Sequence, residues 1–230
     1  MKAVILAAGV GSRLGMSIPQ ALAVLVGEKT IFDYQVDKIS KFVPTDGIFV
    51  VVGYKKEMLV ERHPQLRYIY NEAYAETNTG KSLLKALNKI GNDDVFWLNG
   101  DVIFDEQVIP KLMTAQDSCV LVDNKKCGAE EVKYNTDSEG YIKNISKEVS
   151  PAEGEALGIN LVKRKDLTIF KKHLALIDSQ DYFEKAIEDM IKQETIKFLP
   201  VNVDGLFCHE IDFPEDLEYV RNFLLKTHCT

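Results

Sequence analysis

The sequence predicts an α/β protein, a three-layer sandwich with a mainly parallel central sheet and a small antiparallel addition in its second half. Over the first hundred residues, short apolar runs alternate with amphipathic stretches, the rhythm of parallel strands joined by right-handed crossovers. After Asp105 the texture changes, and several strand-like segments follow one another across turns. The 230 residues are 46% hydrophobic and 27% charged, enough for one large core, and no linker or repeat interrupts them. One domain over 1–230 is expected, with halves 1–105 and 106–230.

The elements follow in order. Ala3–Ala8 is an apolar strand stopped by the turn Gly9-Val10-Gly11-Ser12. Residues 31–42 form a helix, because Ile31, Tyr34, Ile39 and Phe42 recur near helical spacing. Gly47–Val52 is a β-branched run of the kind buried on both faces. A helix at 55–61, a strand at 66–70, a helix at 82–88 and a strand at 95–98 complete the first half, ending at Asn99-Gly100-Asp101. In the second half, 118–122 and 130–134 read as strands, 136–140 as a turn, 148–155 as a loop and 157–162 as a strand. Residues 181–192 make an amphipathic helix, with Asp181 near its start to suit the dipole. Strand-like segments at 196–203 and 206–211 precede a last helix at 215–225, headed by Pro214.

Composition excludes several classes. The formal net charge of −7 argues against nucleic-acid binding, which needs a basic footprint. No run approaches a membrane span, and the N-terminal glycines break any signal-peptide core. Cys119, Cys127, Cys208 and Cys229 have no CxxC spacing and no metal-ligand pairing with the four histidines. They read as reduced thiols, and a cytoplasmic location is expected.

The first turn carries the strongest chemical signal. A strand followed by a two-glycine turn can aim backbone N–H groups at a phosphate chain. Arg13 adds a fork that grips phosphate oxygens in a bidentate way. The turn lacks the third glycine of a dinucleotide fingerprint, since position 14 is leucine, and no Gly-Lys-Ser/Thr closes it as a P-loop. A nucleoside triphosphate is the implied ligand, although two glycines alone also fit a plain tight turn. Such a ligand calls for a divalent ion, and Mg²⁺ takes one or two carboxylates plus substrate oxygens. Asp101 and Asp212 both follow strand-like runs. Singly, each also reads as structural, Asp101 as a turn residue and Asp212 as a helix N-cap.

Longer strings sharpen this. LAAGVGSRL, a short spacer, Pro19 and the apolar run 21–26 resemble the signature of nucleotidyltransferases with a GT-A-like, Rossmann-like fold. These join an NTP to a phosphorylated small molecule and release pyrophosphate. The short Arg-to-Pro spacing is similar to the cytidylyltransferase branch. WLNGD and EIDFPEDL resemble the two metal-binding aspartate segments, the latter especially those of phosphocholine and inositol-phosphate cytidylyltransferases. YNEAYAETNTGKSL resembles the segment near base and ribose. The likeness covers most of the chain.

The resemblance implies a nucleotide-binding half and an acceptor-binding half. Gly9, Gly11, Ser12 and Arg13 would hold the triphosphate, and Leu6, Ala7, Ala8, Asn78, Gly80 and Ser82 the rest of the nucleotide. Asp101 and Asp212 would hold Mg²⁺, with Asp101 also beside the nucleotide. Lys147 would meet the acceptor phosphate, with Lys133 and Glu155 lining the acceptor. Arg13, Gln20 and Lys147 are the expected catalytic positions. Gln20 departs from the family pattern, which has lysine directly after the proline. Glutamine donates a hydrogen bond but no charge, and a charge-assisted bond is roughly twice as strong. Lys81 is the nearest substitute cation by sequence, and equally reads as a solvated lysine at a helix start.

The expected activity is transfer of CMP from CTP to phosphocholine, a polyol or inositol phosphate, a phosphonate or a phosphorylated amino-acid-like compound. Such products would decorate a surface polysaccharide, such as a capsule, or lipid. Two alternatives stand: a sugar-1-phosphate nucleotidyltransferase using UTP, GTP or dTTP, and a nucleotide-binding homologue weakened by Gln20. A choline acceptor would want an aromatic cage, for which Trp97 and Tyr182 are present but not clustered. A second copy of the chain, as a homodimer, is a further candidate partner.

Overall fold

The computed structural model describes residues 1–227, apart from the Ser12 side chain; Cys229 lies outside the described residues. A nine-stranded sheet forms its middle layer. Strands β1 (Lys2–Ala7), β4 (Ile48–Val52), β5 (Arg67–Tyr70) and β6 (Val95–Asn99) are parallel, in the spatial order β6-β1-β4-β5. Their runs are apolar because helices cover both faces. Strand order reverses between β1 and β6, and the carboxyl ends at such a point open a crevice.

The antiparallel part is built around β11 (Gly154–Val162), which pairs with β6, with β8 (Cys119–Asp123) and with β9 (Lys133–Thr136). Strand β10 (Ile142–Ser146) pairs with β9, and β12 (Leu199–Asn202) runs parallel to β8. Outside the large sheet, β2 (Val24–Val26) and β3 (Lys29–Thr30) form a short hairpin. A second pair joins β7 (Val102–Phe104) to β13 (Cys208–Glu210).

Helices α3 (Thr79–Leu87), α5 (Leu167–Leu176) and α6 (Phe183–Lys192) pack on one face around Trp97 and Phe170. Helices α1 (Ile31–Ile39) and α4 (Val108–Thr114) cover the other face through Phe32, Val36, Ile109 and Leu112. A short helix α2 (Lys56–Arg62) links β4 to β5, and α7 (Pro214–Thr227) closes over the β2–β3 hairpin. The mixed three-layer class agrees with the sequence expectation.

Several boundaries differ for physical reasons. Helix α1 begins at a capping box, in which the Thr30 hydroxyl accepts from Asp33 N–H and the Asp33 carboxylate accepts from Thr30 N–H. Helix α6 begins two residues after Asp181, whose carboxylate instead accepts from Asp178 N–H at 2.9 Å. Strand β9 lies three residues later than expected at its start. Strand β11 begins at Gly154, inside the expected loop, where an added Cβ would lie 2.2 Å from the Asp123 carbonyl. Strand β10 was not expected: a register shift between Ile142 and Asn144 breaks the alternation. Helices α4 and α5 were also missed. Pro110 obscures α4 but occupies its first turn, where no intrahelical donor is needed. In α5, Leu167, Phe170 and Leu174 do carry a helical spacing.

Candidate active site

A cleft of about 620 Å³ opens at the carboxyl ends of β1 and β6. The first turn forms one wall. At Gly11 the backbone adopts φ +66°, and an added Cβ would lie 2.6 Å from Gln20 Cβ. Glycine is required here because the turn folds directly onto Gln20. Arg13 extends from this turn, half exposed, and its Nη1 donates to Asp212 Oδ1 at 2.9 Å.

Asp101 and Asp212 come together because β7 pairs with β13 in the register Val102↔Glu210, and Ile211 N–H donates to the Asp101 carbonyl at 3.0 Å. The Asp101 turn is braced from beneath. Gln35, buried in α1, donates to the carbonyls of Asn99 (2.9 Å) and Val102 (2.8 Å). Gly100 N–H donates to the Leu6 carbonyl at 2.9 Å, and an added Cβ there would meet that oxygen at 2.8 Å. Asp212 does not cap α7: Asp216 does so, accepting from Asp212 and Phe213 N–H groups at 3.1 and 2.8 Å. The Asp212 carboxylate is thereby left for the cleft and Arg13.

Burial, then the negative charge of Asp212, pushes the Asp101 carboxyl up to about 7. Its Oδ1 is buried without a hydrogen-bond partner. Its Oδ2 receives only a 3.4 Å hydrogen bond from Gln20 Nε2, which also donates to the Ile211 carbonyl. A divalent cation would relieve both the like-charge repulsion and the orphaned oxygen. Among the described residues no cluster of three or more His, Cys, Asp or Glu side chains could encage a metal. Two carboxylates fit an ion that takes its remaining ligands from substrate and water.

The other expected residues divide. Leu6, Ala7, Gly9 and Asn78 line the cleft. Lys147 and Glu155 line the far side, Lys147 Nζ lying 3.1 Å from Glu130 and Glu155 2.6 Å from Lys125 Nζ. The Ser12 side chain lies outside the described residues.

Four expectations need correction, and two open alternatives are decided. Ser82 is buried behind the wall, its hydroxyl accepting from Asn71 Nδ2 at 3.0 Å. Gly80 packs against the segment joining α5 to α6, where a Cβ would lie 2.5 Å from Ile177 Cδ1. Ala8 is buried and gives its carbonyl to Tyr54 N–H. Lys133 stands one layer back, donating to the Lys147 carbonyl at 2.6 Å. Lys81 is no substitute cation, because its Nζ donates to the carbonyls of Leu174, Ala175 and Ile177 at the end of α5. Trp97, likewise, is fully buried between Phe170 and Phe183 and forms no cage.

The cleft also contains residues that the sequence reading passed over. Glu210 stood inside the EID string, yet only its neighbour Asp212 drew attention. Its signal is Gly158, where an added Cβ would lie 2.2 Å from Glu210 Oε1. Glu184, in the first turn of α6, resembled an ordinary dipole-suited surface acid. Lys125 also lines the cleft, near Glu155.

Comparison with known families places the fold and cleft in context. The chain belongs to the MobA-like NTP transferase domain family, whose model matches residues 3–176. It is 32% identical to the bifunctional protein GlmU of Methanococcus maripaludis over 98% of this chain and 55% of that protein. It is 26% identical to the CTP:phosphoglutamine cytidylyltransferase of Campylobacter jejuni over 95% of this chain and 98% of that one. The solved CTP:phosphocholine cytidylyltransferase of Streptococcus pneumoniae shares the fold, with a TM-score of 0.77 and 21% identity over 97% of this chain and 98% of its own. The chain spans about half or less of the length of several GlmU relatives it matches. No helix among the described residues is long and apolar enough to cross a membrane.

Proposed function

We propose that this protein transfers CMP from CTP to a small phosphorylated acceptor, with release of pyrophosphate. The observation that carries nucleotidyl transfer is the convergence of the Gly9–Arg13 turn, Asp101 and Asp212 on one cleft at the strand-order reversal. The choice of CTP is supported by the like-for-like length match to a cytidylyltransferase.

In this reading the turn and Arg13 bind the triphosphate, while Leu6, Ala7 and Asn78 border base and ribose. Arg13 would release Asp212 and take phosphate oxygens in its place. Gln20 would steady Asp101 as a neutral donor. Asp101 and Asp212 would hold Mg²⁺, which when bound neutralises phosphate charge. Lys147 would orient the acceptor phosphate, and Lys133 would fix the Lys147 backbone. An acceptor oxygen forms the new bond to the α-phosphorus as the α–β bridging bond breaks toward pyrophosphate. A phosphate dianion needs no general base, so positioning and charge neutralisation do the work.

The test is pyrophosphate release with each of the four NTPs and Mg²⁺, against phosphocholine, glycerol phosphate, inositol phosphate and glucose 1-phosphate. Turnover with CTP and a non-sugar acceptor supports the reading. Turnover confined to UTP, GTP or dTTP with the hexose phosphate overturns it.

A further inference from the structure

The charges around the cleft do not balance. Eight carboxylates line it against three basic side chains, Arg13, Lys125 and Lys147. Each base already has a carboxylate: Asp212 at 2.9 Å, Glu155 at 2.6 Å and Glu130 at 3.1 Å respectively. Asp101 and Asp212 form the cation-binding end proposed above. Of the other acids, Asp216 accepts from Asp212 and Phe213 N–H groups, Glu210 accepts from Asn99 Nδ2 at 3.4 Å, and Glu131, like Glu184, has a buried Oε2 without a hydrogen-bond partner among the described residues. Glu184 is the one two residues from Tyr182. It lines the cleft from the first turn of α6, and its Oε2 is buried with no hydrogen-bond partner among the described residues. Burial pushes this carboxyl up to about 7, against which its own backbone N–H and the charge of Lys147 pull only partly.

A buried carboxylate without a cation is costly, and nothing in the packing of α6 requires one. The ring of Tyr182, half exposed, borders the same part of the cleft. A phosphate bound at Lys147 would moreover neutralise the cation whose field reaches Glu184. We infer that Glu184, beside Tyr182, is the seat of an ammonium group carried by the acceptor, so that the substrate is a zwitterionic aminoalkyl phosphomonoester rather than a polyol phosphate. Phosphate at Lys147 and ammonium at Glu184 would then compensate one another within one small molecule. This inference rests on the transferase reading and narrows its acceptor class.

The test compares acceptors that differ only in the cationic group: phosphoethanolamine and phosphocholine against 2-hydroxyethyl phosphate, with CTP and Mg²⁺, on the native chain and on Glu184→Gln. The expected result is a kcat/KM at least ~10-fold higher for the ammonium acceptors, as a charged hydrogen bond would give. That ratio should collapse in Glu184→Gln, chiefly through KM for the ammonium acceptor. Equal turnover of charged and neutral acceptors by the native chain overturns the inference while leaving the transferase reading intact. A preference that persists in the variant also overturns it. If no acceptor turns over with any NTP, the transferase reading fails, and binding decides the inference separately. A larger thermal shift with phosphoethanolamine than with 2-hydroxyethyl phosphate, lost in Glu184→Gln, supports the ammonium seat. Equal shifts overturn it.

Discussion

Arg13 Nη1 donates to Asp212 Oδ1 at 2.9 Å, joining two residues 199 positions apart across the mouth of the cleft. Both side chains are well exposed, so the pair adds little to stability. In the proposed reading, its importance lies in what each group would do on binding a triphosphate.

Arg13→Ala is therefore expected to raise KM for the nucleotide about 10- to 100-fold, the loss of a charge-assisted phosphate contact. Its melting temperature should move by less than about 4 °C. Steady-state kinetics beside calorimetry checks both. A large loss of stability with unchanged KM would assign Arg13 a purely structural role.

Gln20→Lys would place a charge where an amide now meets Asp101 and Ile211. The expected result is a nucleotide kcat/KM higher by about tenfold, because a charge-assisted bond replaces a neutral one. Pyrophosphate release at subsaturating CTP measures it. No change would mean that the neutral donor suffices in this cleft.

Lys81→Met separates two roles that sequence could not. Removing three hydrogen bonds from the end of α5 should destabilise the fold by about 1–3 kcal/mol. KM for the nucleotide should stay unchanged, since Lys81 does not line the cleft. Denaturant unfolding and kinetics read the two effects; a raised KM would return Lys81 to the phosphates.

Asp33 predicts an acid-sensitive fold. Burial alone would raise this carboxyl, but hydrogen bonds from Arg62, the Thr30 backbone and hydroxyl, and His63 hold it well below the usual carboxylate range. With a depressed native value, the unfolded chain binds the proton more readily. The stabilisation is thus complete above the ordinary carboxylate range and is lost as pH falls through it toward the native value. Asp33→Asn should cost about 1–3 kcal/mol at pH 7, because the buried side chain loses its charge-assisted hydrogen bonds to Arg62, Thr30 and His63. Its deficit should shrink on acidification. Urea melts between pH 3 and 7 test this, and a pH-independent deficit would refute it.

Local strings pointed to a good part of the candidate cleft's lining. The turn at Gly9–Arg13 and the strand-end Asp101 were legible because short-range patterning specifies a strand followed by a tight turn. Asp212 was legible only as half of a pair. The pairing of β7 with β13 joins it to Asp101, and no local signal announces a contact between segments 111 residues apart. Gly80 and Ser82 show the converse: one string placed both at the nucleotide, whereas folding turns them toward Ile177 and Asn71, and Lys81, left open by sequence, reaches the end of α5. Glu184 escaped notice because the first turn of a helix is an ordinary home for a glutamate.

By itself, then, the sequence determined the alternation of strands and helices, the parallel first half and the phosphate-suited turn. These depend on residue type and spacing within a few turns of chain. The tertiary structure alone decided that Asp101 faces Asp212, that Asp216 rather than Asp212 accepts from the N–H groups at the start of α7, and that the Glu184 Oε2 is buried with no hydrogen-bond partner among the described residues. Such properties belong to charges and oxygens brought together across the fold, where burial and neighbours, rather than spacing, set their chemistry.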